Sequence, residues 1–300
     1  MKIISFNKTS RKNIVLALGN FDGVHIGHQK LIKEAIKYAR RNKLPCFAMT
    51  FNPHPQEIVC PVRGLTLITT LDEKIEIMRH IGVDGVIIKD FTRKISALDP
   101  GHFIKEFLVD HLSVRKVFVG FDFAFGRNRS GKVSHLKALG RKYGFLVNAV
   151  SPVKYHSHLV KSSTIREMLT KGDFNTAIRL LGHPFTLTGK VVKGRGRGRQ
   201  LGFPTANLSI VADKLIPAHG VYAGHYGKHI CAVNIGSRPT FAEERFAVEA
   251  YVIGYKGNLR GKTIKVDIYK RLRPEIHFSD TEKLKLQISK DVMRVKSLRT

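Results

Sequence analysis

From residue 14 to about 150, short apolar runs alternate with segments whose apolar residues recur at helical spacing. The runs are IVLAL (14–18), CFAMTF (46–51), VIIK (86–89), KVFVG (116–120) and FLVNAV (145–150). Between the first two, Leu31, Ile32, Ala35, Ile36 and Ala39 form one stripe of a helix over 27–41. Thr70 and Glu73 predict a capping box for a helix over 71–81, and Gly82 ends it. Segments 101–112 and 133–143 follow the same pattern. This β-α alternation predicts an α/β half with a parallel sheet and helices on both faces.

The segment 164–182 reads as helical and joins this half to a different one. From 183 onward, FTLTGKVV, TANLSI, VYAGHY, HICAVNIG, VEAYVIG and TIKVDIYKRL are strand-like runs separated by Gly, Pro and Asn. With no helix-length pattern between them, they predict a small all-β barrel. A final helix covers about 280–296, with Leu284, Ile288 and Val292 in step. The expected domains are 1–182 and 183–300.

The polar motifs of the first half fall after strands. LGNFDGVHIGH follows the first, FNPHP (51–55) the second and VGFDFAFG (119–126) the fourth, with SSTIREML (162–169) soon after the fifth. In open α/β sheets that edge binds ligands. His25 and His28, three apart at a helix start, project to one side. The helix N–H groups and dipole there favour an anion. Read alone, an HxxH pair also fits a structural role or a partial metal site.

Composition adds four constraints. The 300 residues are 43% hydrophobic, enough for one large or two ordinary domains. No apolar run approaches the roughly 20 residues that cross a membrane, and the apolar stretch at the start is too short for a secretory signal. Cys46, Cys60 and Cys231 lie far apart without a CxxC pair, which fits a reducing cytoplasm rather than a disulfide framework or a structural zinc site. Lys plus Arg number 52 against 23 Asp plus Glu, a net charge of +29. Such a field draws phosphates of any kind, though lysines spread along nearly every segment also fit a general lysine bias.

These motifs resemble a known family. FDGVHIGHQ resembles the HxGH signature of nucleotidyltransferases, and the wider set is similar to the bacterial bifunctional riboflavin kinase/FAD synthetases. LGNFDGVHIGH, FNPHP, VGFDFAFGRNRSG, SSTIREML, GRGRGRQLGFPTANL, GVYAG, NIGSRPTF and RLRPE run in family order over nearly the whole chain. The resemblance implies a Rossmann-like nucleotidyltransferase domain, a Greek-key-like barrel and a terminal helix. The implied activities are ATP-dependent phosphorylation of riboflavin to FMN, then adenylylation of FMN to FAD with release of pyrophosphate. Riboflavin, FMN and ATP are the implied small-molecule substrates, with Mg²⁺ as cofactor.

Carried over residue by residue, the resemblance assigns His25 and His28 to the ATP phosphates and the transition state. Gly19, Asn20, Phe21 and Asp22 lie in the same turn, and Asn52 and His54 in the second motif. Asp122 and Phe123 belong to the motif that helps hold flavin and nucleotide. Ser162, Ser163, Thr164 and Arg166 belong to the closing motif, where Thr164 and Glu167 also spell an ordinary capping box. A rival motif, Gly126 to Lys132, nearly spells a Walker A loop. Val133 stands where Ser or Thr must meet Mg²⁺, so a basic loop near phosphates fits better.

In the second half, KGRGRGRQLGFPTANL (193–208) reads either as a disordered RNA-binding patch or as an ordered Gly-rich loop around phosphates. The resemblance favours the second: Gly198, Gly202 and Pro204 shape the loop, and Thr205 and Asn207 hold Mg²⁺ and the ATP phosphates. Glu249 aligns with the catalytic base; without the family it also fits a strand glutamate paired to a lysine. The family usually continues with a His and an Asp-Phe pair, where this chain has Tyr251 and Gly254-Tyr255. Cys231, His219, His225 and His229 receive no role.

Three alternatives stand beside this reading: a chain retaining only one activity, an adenylyl- or cytidylyltransferase for another substrate, which the intact GFPTAN argues against, and a basic nucleic-acid-binding protein. Against the last, aromatic residues are 9%, Trp is absent and basic residues form no long block. No membrane or nucleic-acid partner is expected, and the sequence carries no signal of oligomeric state.

Overall fold

A computed structural model describes residues 1–6, 13–61, 64–156, 158–194, 196–238 and 245–298, with the side chains of 197, 237, 238 and 245 excepted. The motif NIGSRPTF therefore runs out of the described residues after 238, and the first arginine of GRGRGR lies outside them. Cα packing divides the chain into two units, Met1–Ser162 and Ser163–Thr300.

In the first unit six parallel strands form one sheet. They are β1 (Lys2–Ser5), β2 (Ile14–Leu18), β3 (Cys46–Asn52), β4 (Gly85–Asp90), β5 (Val114–Gly120) and β6 (Leu146–Val150), in the order β1-β4-β3-β2-β5-β6. Strand β2 is buried along its whole length, as a strand covered on both faces must be. Its alternate residues serve two cores. Val15 and Ala17 pack with Leu31, Ile32 and Ala35 of helix α1 (Ile26–Arg41). Ile14, Leu16 and Leu18 pack with Phe107, Leu108 and Leu136 on the opposite face.

The order in which successive parallel strands are added switches direction between β2 and β5, and the crevice outside that pair is where such sheets bind ligands. Of the further helices, α2 is Pro55–Val59, α3 is Leu71–Ile81 and α4 is Val133–Tyr143. Helix α3 starts at the expected Thr70–Glu73 capping box and closes at Gly82, where φ is 99°. The expected helix over 101–112 is an α-turn, Pro100–Phe103, followed by a π-helical stretch, Ile104–His111, whose wider winding still buries Ile104, Phe107 and Leu108. Strand β1 has no counterpart in the sequence reading: its four residues on the sheet edge are mostly exposed and carry no run of apolar side chains.

The second unit holds a closed antiparallel barrel. Its strands are β7 (Phe185–Val192), β8 (Ala206–Ile210), β9 (Gly220–Tyr226), β10 (His229–Arg238), β11 (Arg245–Val252) and β12 (Thr263–Arg273), in the order β7-β8-β11-β10-β9-β12. The jumps β8 to β9 and β11 to β12 give it the expected Greek-key character. Closure removes unpaired edges. The segment expected as one helix over 164–182 is two, α5 (Ser162–Lys171) and α6 (Phe174–Leu181). They break at Gly172, whose φ of 89° ends the helix; the Arg271 guanidinium occupies the space a side chain there would need and donates to the Gly172 carbonyl.

The terminal helix α7 (Thr281–Ser297) sets Val295 against Val221, Ala223 and Leu272 on the outside of the barrel. Arg273 binds both carboxylate oxygens of Asp291, fastening that helix to β12.

Candidate active sites

The first site is built at the turn between β2 and α1. Phe21 adopts a left-handed conformation (φ 52°), and Asp22–Val24 form one tight helical turn before α1 begins. Asp22 is 2% exposed, and its Oδ1 accepts the backbone N–H groups of Ile68 (3.0 Å) and Thr69 (3.2 Å). The Gly23 N–H donates to Thr69 Oγ1 (3.0 Å). Asp22 thus fastens the turn to the segment leading into α3. The Asp22 carbonyl accepts the Ser162 hydroxyl at 2.8 Å, bringing the start of the closing motif to the same turn.

His25 caps α1: its Nδ1 accepts the His28 N–H at 3.3 Å. A neutral ring accepting at Nδ1 carries its proton on Nε2, where it can donate to an anion. The His25 and His28 rings stack with centroids 3.6 Å apart, and Phe21 meets His28 edge-on at 5.3 Å. Burial, then the charges of His25 and Lys74, hold the His28 pKa well below the usual imidazole value, so His28 is neutral at neutral pH. Its Nδ1 is buried without a hydrogen-bond partner among the described residues.

His54 repeats the device. It caps α2 through Nδ1, which accepts the Gln56 N–H at 3.2 Å, while Glu57 accepts the His54 N–H at 2.8 Å. Asn52 stands at the carboxyl end of β3 with its side chain exposed. After β5, Asp122 pairs with Lys161 at 3.4 Å, and Phe123 stacks on Phe125 at 5.5 Å. Lys161 immediately precedes Ser162, the first residue of the closing motif. Ser163, Thr164 and Arg166 continue the first turn of α5 and are counted with the second unit.

One buried residue at this turn escaped the sequence reading. Lys74 of α3 donates to the Asn20 carbonyl at 2.8 Å, and Thr50 Oγ1 donates to the same carbonyl at 3.0 Å. A signal was present: Leu71, Lys74, Ile75 and Met78 share one stripe of the helix, so the lysine stands among the positions that face inward.

The second site lies on the barrel wall. Asn207 on β8 is the direct partner of Glu249 on β11, and Glu249 is in turn the partner of Asn234 on β10. Directly opposed residues of antiparallel strands point to the same side, with Cβ atoms about 5 Å apart. The loop before β8 is folded. A helical turn, Arg197–Gln200, is followed by a bond from the Phe203 N–H to the Gly198 carbonyl (2.7 Å). A Cβ at Gly198 would lie 3.2 Å from Thr205 Oγ1, and one at Gly194 only 2.2 Å from the Asn207 carboxamide nitrogen. Glycine at these two positions lets the loop main chain close over Thr205 and Asn207. Gly202 takes a positive φ of 88° at the end of the helical turn, and Pro204 is exposed.

Tyr251, where the family usually has His, packs edge-on to Phe203 at 5.6 Å, and Tyr255 meets Tyr226 at 5.6 Å and His229 at 5.3 Å. Among the described residues no group of three or more His, Cys, Asp or Glu is arranged to hold a metal, and no helix is long and apolar enough to cross a membrane.

Comparisons with known proteins agree with this division. The family model for FAD synthetase matches residues 7–164, and that for riboflavin kinase matches 181–299. The bifunctional riboflavin kinase/FMN adenylyltransferase of Buchnera aphidicola from Schizaphis graminum is 36% identical over 298 residues, covering 96% of this chain and 95% of its own. The enzyme of the same name from Listeria monocytogenes is 37% identical over 287 residues, covering 93% of this chain and 90% of its own. A crystal structure titled as a macrolide-efflux protein from Streptococcus pneumoniae matches with a TM-score of 0.89 and 27% identity, covering all of both chains.

Proposed function

The chain belongs to the bifunctional riboflavin kinase/FMN adenylyltransferase family, and from that premise we propose which residues carry each half of the activity. The enzyme phosphorylates riboflavin to FMN with ATP, then adenylylates FMN with ATP to give FAD and pyrophosphate. We assign FMN adenylylation to residues 1–182 and riboflavin phosphorylation to 183–300.

In adenylyl transfer a phosphate oxygen of FMN attacks the α-phosphorus of ATP, and the bond to the bridging oxygen breaks to release pyrophosphate. Negative charge gathers on the α-phosphoryl and leaving oxygens. His28, neutral, and His25 stacked on it at the N-terminus of α1 donate to those oxygens as the charge builds up. The main chain of Gly19, Asn20 and Phe21 admits the phosphates closely, while Asp22 holds the turn through Ile68 and Thr69. His54, with its proton on Nε2, and Asn52 line the β3 side. Asp122 and Phe123 orient flavin and nucleotide. Ser162, Ser163, Thr164 and Arg166, the family's closing motif, carry hydroxyl groups and a guanidinium of the kind that binds pyrophosphate.

In phosphorylation the ribityl 5′-hydroxyl attacks the γ-phosphorus of ATP, and ADP leaves. Glu249 accepts the hydroxyl proton, and its place opposite Asn207 is the observation that carries this half of the reading. The donors suit Mg²⁺: a hydroxyl at Thr205 and a carboxamide oxygen at Asn207 are hard ligands, in a cradle that a Cβ at Gly194 or Gly198 would fill. When bound, Mg²⁺ would neutralise phosphate charge. The folded turn at Arg197–Gln200, with Gly202 and Pro204 after it, supports a phosphate loop over a disordered RNA-binding patch.

We read the enzyme as cytoplasmic, supported by its three free cysteines, of which Cys46 and Cys231 are buried with thiols pushed up to about 12. Incubation with riboflavin, ATP and Mg²⁺, followed by chromatography, tests the whole scheme: FMN and then FAD are expected. Riboflavin left unchanged while supplied FMN is converted would mean that only the adenylylating half is active.

A further inference from the structure

Lys74 is a buried cation with an unusual set of partners. Its residue is 5% exposed, yet its ammonium donates to the Asn20 carbonyl (2.8 Å) and reaches Thr50 Oγ1 (3.5 Å) rather than a carboxylate. Among the described residues no acid lies within ion-pair distance of it. The two acids whose charge reaches it also accept main-chain N–H groups: Asp22 from Ile68 and Thr69, and Glu57 from His54. A buried charge without a directly paired carboxylate is costly to keep. Here it lies behind the turn that carries His25 and His28.

We propose that Lys74 is a positioning residue for adenylyl transfer, holding the Asn20 carbonyl and so the phosphate turn, and lending the site a buried positive charge that the ATP phosphates balance. The proposal rests on the assignment of this turn to ATP. The titratable groups whose charge or titration is coupled to the ammonium are His28 on α1, Asp22 in the turn and Glu57 on α2. Burial draws the Lys74 pKa down to about 8, against the opposing pull of Asp22 and Glu57. Its charge therefore falls away just above neutral pH.

The test is the pH profile of kcat for FAD formation from supplied FMN, in wild type, Lys74→Met, Lys74→Arg and His28→Ala. Wild type is expected to lose rate as the pH rises through about 8. Lys74→Met is expected to lose about 100-fold in kcat and to lack that alkaline limb. Lys74→Arg, which stays charged, should recover part of the rate with no fall near pH 8. Riboflavin phosphorylation by the same preparations reports folding. If Lys74→Met loses that as well, Lys74→Arg decides: a flat profile through pH 8 supports the role, and a wild-type fall contradicts it. Lys74→Met within twofold of wild type, or with the limb intact, overturns the proposal while His28→Ala is inactive. FAD formation by His28→Ala would instead overturn the assignment of the turn.

Discussion

Asn207 and Glu249 are direct cross-strand partners in the barrel wall, one on β8 and the other on β11. They are 42 residues apart in sequence, and the antiparallel pairing of β8 with β11 brings the PTAN segment and the VEAYV strand together. A carboxylate and a carboxamide facing the same side can serve one γ-phosphoryl transfer, with the proton taken at one group and the phosphates held at the other.

Asn207→Ala is therefore expected to lower riboflavin phosphorylation by about 100-fold, a typical loss for a misplaced phosphate group. Asn207→Asp, which restores an oxygen donor, should do less harm and alter the Mg²⁺ dependence. Initial rates of FMN formation against Mg²⁺ concentration check both.

Gly194→Ala tests the close approach of the loop. The added Cβ would stand 2.2 Å from the Asn207 carboxamide nitrogen, so loop or side chain must shift. Riboflavin phosphorylation should fall at least about tenfold, since a displacement of that order is costly to catalysis. FAD formation from supplied FMN should be unchanged.

Two buried groups give stability an opposite sense of charge from most surface sites. His28 titrates in the native state well below its unfolded value of 6.5. The unfolded chain thus binds more protons than the native one as the pH drops below about 6.5, and stability is lost there. Denaturant titrations should show that His28→Gln flattens this acid fall. Lys74, drawn from 10.5 to about 8, has the matching effect at alkaline pH. The unfolded chain binds the extra proton between those values, so stability from this group rises from pH 8 to 10.5, by about 3 kcal/mol at most. Lys74→Met should remove that rise.

The parallel sheet was legible because its strands are covered on both faces. IVLAL has no polar position to spare, and the helices between strands carry their own caps, as at Thr70 and Gly82. The polar clusters at the strand ends followed from the same alternation. What the sequence left hidden was non-local. The pairing of Asn207 with Glu249 and Asn234 depends on barrel register, which no local pattern fixes. Lys74 sits in an apolar helical stripe, but a lysine on a helix ordinarily faces water, and its partner Asn20 is 54 residues away. The break at Gly172 was marked by Gly172 and Asp173, a turn signal outweighed by helical spacing on both sides.

A nearly buried ion pair helps hold the terminal helix. Asp291 accepts three hydrogen bonds from Arg273 and one from Gln287. Asp291→Ala leaves the guanidinium unpaired and should destabilise the barrel unit by about 3–5 kcal/mol. Thermal unfolding followed by circular dichroism would detect it.

The division of labour between the two sites is tested most directly by assaying Glu249→Gln and His28→Ala in both half-reactions, riboflavin to FMN and FMN to FAD. Glu249→Gln is expected to lose FMN formation by about 100-fold or more while converting supplied FMN to FAD at the wild-type rate. His28→Ala should do the reverse and accumulate FMN. Folded variants that each lose both half-reactions to the same extent, or neither, would contradict the assignment.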